Sequence, residues 1–490
     1  MAATSEESAR PAAIADPPAA DELVLRDQKS HGERLHEVAK AFLPMGFIAF
    51  GGPQAHIALF HKTFVPGWLD EQSFMELMSL GQAMPGPTST QMATAMGIKR
   101  AGVLGGIVSF WLFDWVGFAI QLGVGTAVHS FSESASTQAL DTYKMVMLGM
   151  GPAAISQVYI AAYSLGLKAV GSDRVRIMLA LSTCLVALLV PTASVAAFVF
   201  LGCLLFGGAV TALDARRPSR AKAYEAALKP PKNDGLLKRM GLSRTGGVFL
   251  VVLTLTLFLG SQVAIYLPAG SFGSPTADKC VAIFGSLYRM GISIYGGGQV
   301  VLPMLEEEFV SRSGYSNSSV GGTLGVAPLD AETFGFGLAL AQSLPGPLFN
   351  FSAFIGAVAA GVPGGIVGFL GLFGPGILLI YACMPFWEAA RQHTVVRCAL
   401  VGMNASSIGL VFAACVSLFQ KYCRNQAEAG VMLTTMVLTY VFKWPPPAAI
   451  FGSAALCLGF FFLDIHGASG DWCHIARYGD FATQDASACA

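Results

Sequence analysis

From Thr333 to Trp387 the chain runs 55 residues without a charged side chain, and from Ile177 to Leu213 it runs 37. Crossing a bilayer takes about 20 apolar residues, so each run is long enough to cross twice. A soluble core of that size would need charged outer helices. Only 12% of this chain is charged, against about 25% in soluble domains. The runs are also much longer than the ~10-residue alternating strands of a membrane barrel. Lipid offers the backbone no hydrogen-bond partners, so the chain reads as an all-α polytopic membrane protein.

Composition excludes other classes. Formal net charge is zero, which points to no nucleic-acid partner. The ten cysteines are scattered, mostly in apolar segments as at Cys184, Cys203, Cys398 and Cys415, with no CxxC and no His/Cys cluster. They read as packing residues, so no metal site and no cofactor is expected.

The chain is a duplication. "MGFIAFGGPQ" (45–54) matches "MGISIYGGGQ" (290–299), and "LDEQSF" (69–74) matches "LDAETF" (329–334). "QAMPGP" (82–87) then matches "QSLPGP" (342–347), and "AGVLGGIVSF" (101–110) matches "AGVPGGIVGF" (360–369). Blocks that recur in one order are the mark of a repeat.

Each repeat holds six apolar segments. In the first they lie near 37–60, 72–97, 101–128, 143–167, 176–190 and 192–212; in the second, near 279–305, 333–356, 361–385, 394–419, 428–443 and 446–463. The organisation expected is an N-terminal tail (1–36), repeat 1 (37–212), a linker (213–247), a connecting helix (248–268), repeat 2 (279–463) and a C-terminal tail (464–490). The linker is rich in Lys and Arg, so the positive-inside rule places it in the cytoplasm. One extra crossing between two six-segment units turns the second upside down. The expectation is therefore about 13 transmembrane segments in two inverted repeats.

Pro-Gly-Pro stops a helix. A helix stopped inside lipid leaves N–H and C=O groups that must face protein, water or a ligand. Helix N-termini carry partial positive charge and free N–H groups, which suit anions. The paired interruptions at Gly51, Gly52 and Pro53, at Pro85, Gly86 and Pro87, at Gly296, Gly297 and Gly298, and at Pro345, Gly346 and Pro347 point to one central anion site. Gln82 and Gln342 would donate to the anion or cap freed carbonyls. For "AGVLGGIV" and its twin, close helix packing is the preferred reading.

Four blocks resemble the signature motifs of the chromate ion transporter family in its long, two-domain form: "AFGGPQAHIALF", "LGQAMPGPTSTQMATAMG", "IYGGGQVVLPMLEEEFV" and "ALAQSLPGPLFNFSAFIGA". The resemblance covers roughly 37–463. It implies a secondary transporter of chromate, with sulfate as a similar tetrahedral dianion, coupled to protons. It also implies site residues at Phe50, Gly51, Gly52, Pro53, His56, Pro85–Pro87, Gly296–Gly298, Pro303 and Pro345–Pro347.

Charged residues inside apolar segments are functional candidates by default. Arg289 would offer an oxyanion two donors, unless it snorkels to an interface. Asp114 repels a dianion; it would carry a coupling proton or pair with Arg289. His56 would donate to the anion or titrate near neutral pH. Glu306, Glu307 and Glu308 read as a solvated cytoplasmic face. The protein is expected in the plasma membrane, in contact with lipids, and not to be an enzyme. A transporter or channel for sulfate or molybdate is the alternative. An intramembrane hydrolase is disfavoured, since HExxH and a second membrane aspartate are missing, and no GxxxxGK[ST] loop signals an ATP-driven pump.

Overall fold

The computed structural model describes residues 29–50, 52–65, 67–69, 73–74, 77–78, 80–81, 84–134, 137–189, 193–224, 243–294, 301–310, 329–423, 426–453 and 455. Most of the two tails, the linker from 225 to 242, Gly51, Gln82 and Gly296–Gly298 lie outside them. Among the described residues the chain is helical, with one isolated bridge between Val310 and Leu329. Four helices are long and apolar enough to cross a membrane: Thr88–Ser130, Arg244–Ala264, Leu348–Trp387 and Thr394–Gln420.

The segments expected at 37–60 and 279–305 do not run straight. Helix α1 (His31–Ile48) ends at Ala49, and α2 (Gly52–Phe64) folds back along it. Phe42 of α1 stacks on Phe64, with ring centroids 5.2 Å apart, and meets Phe60 at 6.1 Å. The break is local chemistry: Gly52 has φ +76°, and Pro53 has no N–H to donate.

Helix α3 (Thr88–Ser134) is two arms. Ala101 (φ −136°) and Gly102 (φ +70°) reverse the chain, so Thr90 on the first arm reaches Asp114 on the second. Two further helices, α4 (Thr137–Ala169) and α5 (Arg174–Leu189), lead to α6 (Ala193–Asp214). A short 3₁₀ turn, Pro218–Tyr224, begins the linker.

The second half repeats this path. After the connecting helix α7 (Arg244–Ala264) come α8 (Pro275–Ser293) and α9 (Val301–Phe309). They too form a hairpin, because Ser286 and Arg289 of α8 both bond to Glu308 of α9. Helix α10 (Ala331–Ser343) runs to the second Pro-Gly-Pro, and a 3₁₀ turn, Leu348–Asn350, starts the return. Phe334 and Phe336 of α10 meet Phe351 and Phe354 at 4.9 and 6.0 Å, so these arms also lie side by side. Helix α11 (Phe351–Gln392) reverses at Ala360 (φ −147°) and Gly361 (φ +63°), within a few degrees of its counterpart in α3 apart from Ala101 and Ala360, which differ by eleven in φ. Helices α12 (Thr394–Tyr422) and α13 (Gln426–Tyr440) follow.

The "AGV" block therefore has two jobs. Its glycines do let backbones meet, as packing required: a Cβ on Gly105 would strike the Gly97 carbonyl, and one on Gly364 that of Gly356. The same block also turns the chain. Each reversal is held from the other half. The Tyr381 hydroxyl donates to the Val103 carbonyl (2.9 Å), and His129 Nδ1 lies 2.8 Å from the Val358 carbonyl. The long arms of α3 and α11 thus run antiparallel, with the rings of Phe110, Phe118, Phe369 and Phe373 packed between them in tilted and edge-on pairs.

Candidate functional site

Each Pro-Gly-Pro is the tip of a helical hairpin. Helix α10 has 13 residues, about 20 Å of helix, shorter than the ~30 Å hydrocarbon core of a bilayer. The three residues divide the work. Leu344, before the first proline, is extended at φ −93° and ψ 155°, which ends the incoming helix. Gly346 takes φ +96° and Gly86 takes φ +120°, a conformation other residues avoid. Pro347, at φ −73°, then caps the outgoing turn.

The tips are tied across the two halves by matching hydrogen bonds. The Gly86 N–H donates to the carbonyl of Ile294, the C-cap of α8 (2.7 Å), and the Gly346 N–H donates to the carbonyl of Ala49, the C-cap of α1 (2.8 Å). Each tip also lies against the other half's long arm. A Cβ on Gly376 would come 3.0 Å from the Pro85 carbonyl, and one on Gly117 would come 2.8 Å from that of Pro345. One polar side chain locks each contact. Gln91 Nε2 donates to the carbonyls of Pro85 (2.7 Å) and Gly376 (3.1 Å), and Asn350 Nδ2 donates to that of Asp114 (3.3 Å).

Four helices begin after these interruptions: α2 at Gly52, α3 at Thr88, α9 at Val301 and the 3₁₀ turn at Leu348. All four start with a proline in or just before the first turn, at Pro53, Pro87, Pro303 and Pro347. The carbonyls of Ala49, Pro85 and Ile294 are taken by neighbouring N–H groups, while the first N–H groups of an α-helix have no partner inside it.

The candidates from sequence fall as follows. Gly52, Pro53, Pro85, Gly86, Pro87, Pro345, Gly346 and Pro347 all lie at the tips. Gln342 points its Nε2 into the protein, buried and with no hydrogen-bond partner. His56 is fully buried; its Nε2 is 2.9 Å from the Ala49 carbonyl and its ring stands edge-on to Phe113. It clamps the first hairpin tip. Asp114 is fully buried, accepts from Thr90 Oγ1 (3.3 Å) and leaves Oδ2 without a hydrogen-bond partner.

Arg289 does not pair with Asp114. Both oxygens of Glu308 take its Nη2 at 2.8 Å, and the two side chains are only 12% and 11% exposed. The reading of Glu306–Glu308 as a solvated face fails for the same reason, and Glu306 is itself buried. The fold-back of α9 along α8 turns Glu308 inward, which a straight helix would not. Sequence reasoning also missed Gln91, Asn350, Gly117 and Gly376. The signal was there: Gln91 and Asn350, and Gly117 and Gly376, occupy equivalent positions of the two repeats, counted from the shared Ala-Gly pair.

The chromate transporter family model matches residues 36–208 and 281–458. The chain belongs to the chromate transporter family. It is 25% identical over 426 residues to the chromate transport protein of Cupriavidus metallidurans, covering 86% of this chain and 92% of that one. It is 24% identical over 421 residues to a probable chromate transport protein of Synechococcus elongatus, covering 85% and 93%. The chromate transport protein of Pseudomonas aeruginosa is 23% identical, with 82% and 86% covered. No solved structure matches the chain. Family membership and the four apolar helices make it an integral membrane transport protein with an oxyanion substrate.

Proposed function

We propose that the chain is a secondary transporter that carries chromate, and sulfate as a dianion of the same shape, by alternating access in the plasma membrane. The observation that carries this reading is the pair of cross-half bonds, Gly86 to Ile294 and Gly346 to Ala49. They bring each Pro-Gly-Pro tip, with the proline-started helix that follows it, against the end of α1 or α8 in the other half. A tetrahedral dianion is held there by backbone N–H groups and by Gln342 Nε2; Gly51, Gln82 and Gly296–Gly298 are candidates from the sequence for the same anion. Fixed dipoles favour the charge without a bare lysine or arginine, which lipid would penalise.

The topology follows from the hairpins. A hairpin starts and ends on one side, so two hairpins replace two of the six crossings in each repeat. Four crossings remain per repeat and, with α7, nine in total, in two inverted units. The inversion survives because the change per repeat is even. Lys62, Lys99 and Arg100 then share the linker's side, in keeping with a positive-inside bias. Transport is a rocking of the hairpin tips against the long arms of α3 and α11, with the cross-half bonds as the element that rearranges.

The test is flux into proteoliposomes. Labelled chromate and sulfate are followed with and without imposed ion gradients, and as exchange against unlabelled internal anion. Saturable exchange of chromate supports the reading. Sulfate exchange without chromate changes the substrate, and flux that never saturates points to a channel.

A further inference from the structure

Asp114 is an acidic group beside the tips that the anion reading leaves unexplained. It lies on the long arm of α3, one turn from Gly117, where the second tip docks. Its carboxylate is fully buried, one oxygen accepts a single hydroxyl bond from Thr90, and the other has no partner. An ionised carboxylate left like this in a protein interior costs several kcal/mol, and a dianion held nearby would raise that cost.

No cation from the protein meets it among the described residues. The charged groups of α1 lie in its first three turns, and Glu37 there pairs with Arg100 beside the chain reversal. On α2, Lys62 is in the last turn, and His61 stands against Phe74. His56 is nearest, on the ring of Phe113, but its Nε2 is committed to Ala49. The first arm of α3 has no charge before Lys99. Helix α10 has none after Glu332, and α11 none from Phe351 to Trp387. Arg289 is spent on Glu308. Asn350, which donates to the Asp114 carbonyl, leaves its Oδ1 buried and without a hydrogen-bond partner, and His56 leaves its Nδ1 so.

We infer that Asp114 is the carboxylate of a monovalent cation site, adjoining the anion site, which is filled when the oxyanion binds. The cation is a proton on the carboxyl or an alkali ion against it; both supply the one positive charge that Asp114 lacks. Thr90 orients the carboxylate, and Asn350 ties the backbone of Asp114 to the tip of the other half, so occupancy is felt where the anion binds. This inference rests on the proposed anion site, and coupling between the two is reciprocal.

The test has two readouts on the intact protein in detergent. First, chromate or sulfate affinity is measured against pH at fixed sodium and against sodium at fixed pH. One cation taken up per anion makes the apparent Kd fall about tenfold for each tenfold rise in that cation below saturation. A slope near one with pH assigns a proton, and with sodium an alkali ion; Kd flat in both overturns the inference. Second, the melting temperature without any anion is titrated with the same cations. The expected rise in the wild type disappears in Asp114→Asn; a variant that keeps the wild-type response removes Asp114 from the site. Thr90→Val, which leaves the carboxylate in place, shifts the midpoint but keeps the slope. If neither anion binds while the melting response persists, the oxyanion reading fails and the cation site stands.

Discussion

Replacing the tip glycines by alanine separates the physics of the hairpin tips into strain and space. Gly86, Gly346 and Gly52 all have positive φ, at +120°, +96° and +76°. A side chain there costs about 1–3 kcal/mol in backbone strain. Space then ranks them. A Cβ on Gly86 would sit 2.9 Å from the Gly376 Cα and 3.0 Å from Gln91 Nε2. The first is backbone of the opposite half, so overpacking adds about 1–3 kcal/mol. On Gly346 the nearest atom is the Asn350 amide at 3.1 Å, a side-chain end that can give; on Gly52 nothing lies within 4 Å. The expected totals are about 2–6 kcal/mol for Gly86→Ala and about 1–3 kcal/mol for the other two, with Gly346→Ala the costlier. Thermal unfolding in detergent reads the order, at something like 2 °C per kcal/mol. Gly86→Ala should also lose transport out of proportion, because pushing on Gly376 stretches the Gly86–Ile294 bond between the halves. A Gly86→Ala protein that melts with Gly52→Ala would refute the docking of the first tip on Gly376.

Three further outcomes are expected. Glu308→Ala strands Arg289 in a site 12% exposed and should cost about 3–5 kcal/mol, most of it recovered in Arg289→Met/Glu308→Leu; a double variant as unstable as the single would exclude the ion pair as the cause. Gln91→Ala leaves the Pro85 and Gly376 carbonyls short of a donor, about 1–3 kcal/mol, and should weaken anion affinity measured by competition; unchanged affinity would show that tip position does not matter to binding. At the linker, Arg220 bridges Asp173 and Asp214, both at 2.7 Å. Burial would raise the Asp173 carboxyl, but hydrogen bonds from the Arg176 N–H and from Arg220 outweigh it and hold it below the usual range. Its contribution is therefore present above the ordinary carboxylate pKa of about 3.9 and is lost as pH falls through the lower folded value. Limited proteolysis of the linker should stay constant from neutral pH down to about 5; Asp173→Asn should speed it at every pH.

How much of this was legible without coordinates depends on the range of the interaction. Membrane class, all-helical content and duplication follow from local facts: long uncharged runs, and blocks that recur in order. The Pro-Gly-Pro tips were legible as breaks for the same reason, since Pro and Gly act on their own φ and their neighbour's. Hydropathy, however, does not distinguish a helix that crosses from two that meet at a tip and return. That choice at 37–60 and 279–305 is made by Phe42 packing on Phe64 and by Arg289 finding Glu308, contacts between residues 19 to 22 apart. The partners of the tips were further out of reach. Gly86 meets Ile294 and Gly376, and Asn350 meets Asp114, across more than 200 residues. Sequence determined where the helices stop, because that is backbone sterics; the tertiary structure alone decided what the stopped ends face, because only the docking of one half on the other brings those groups together.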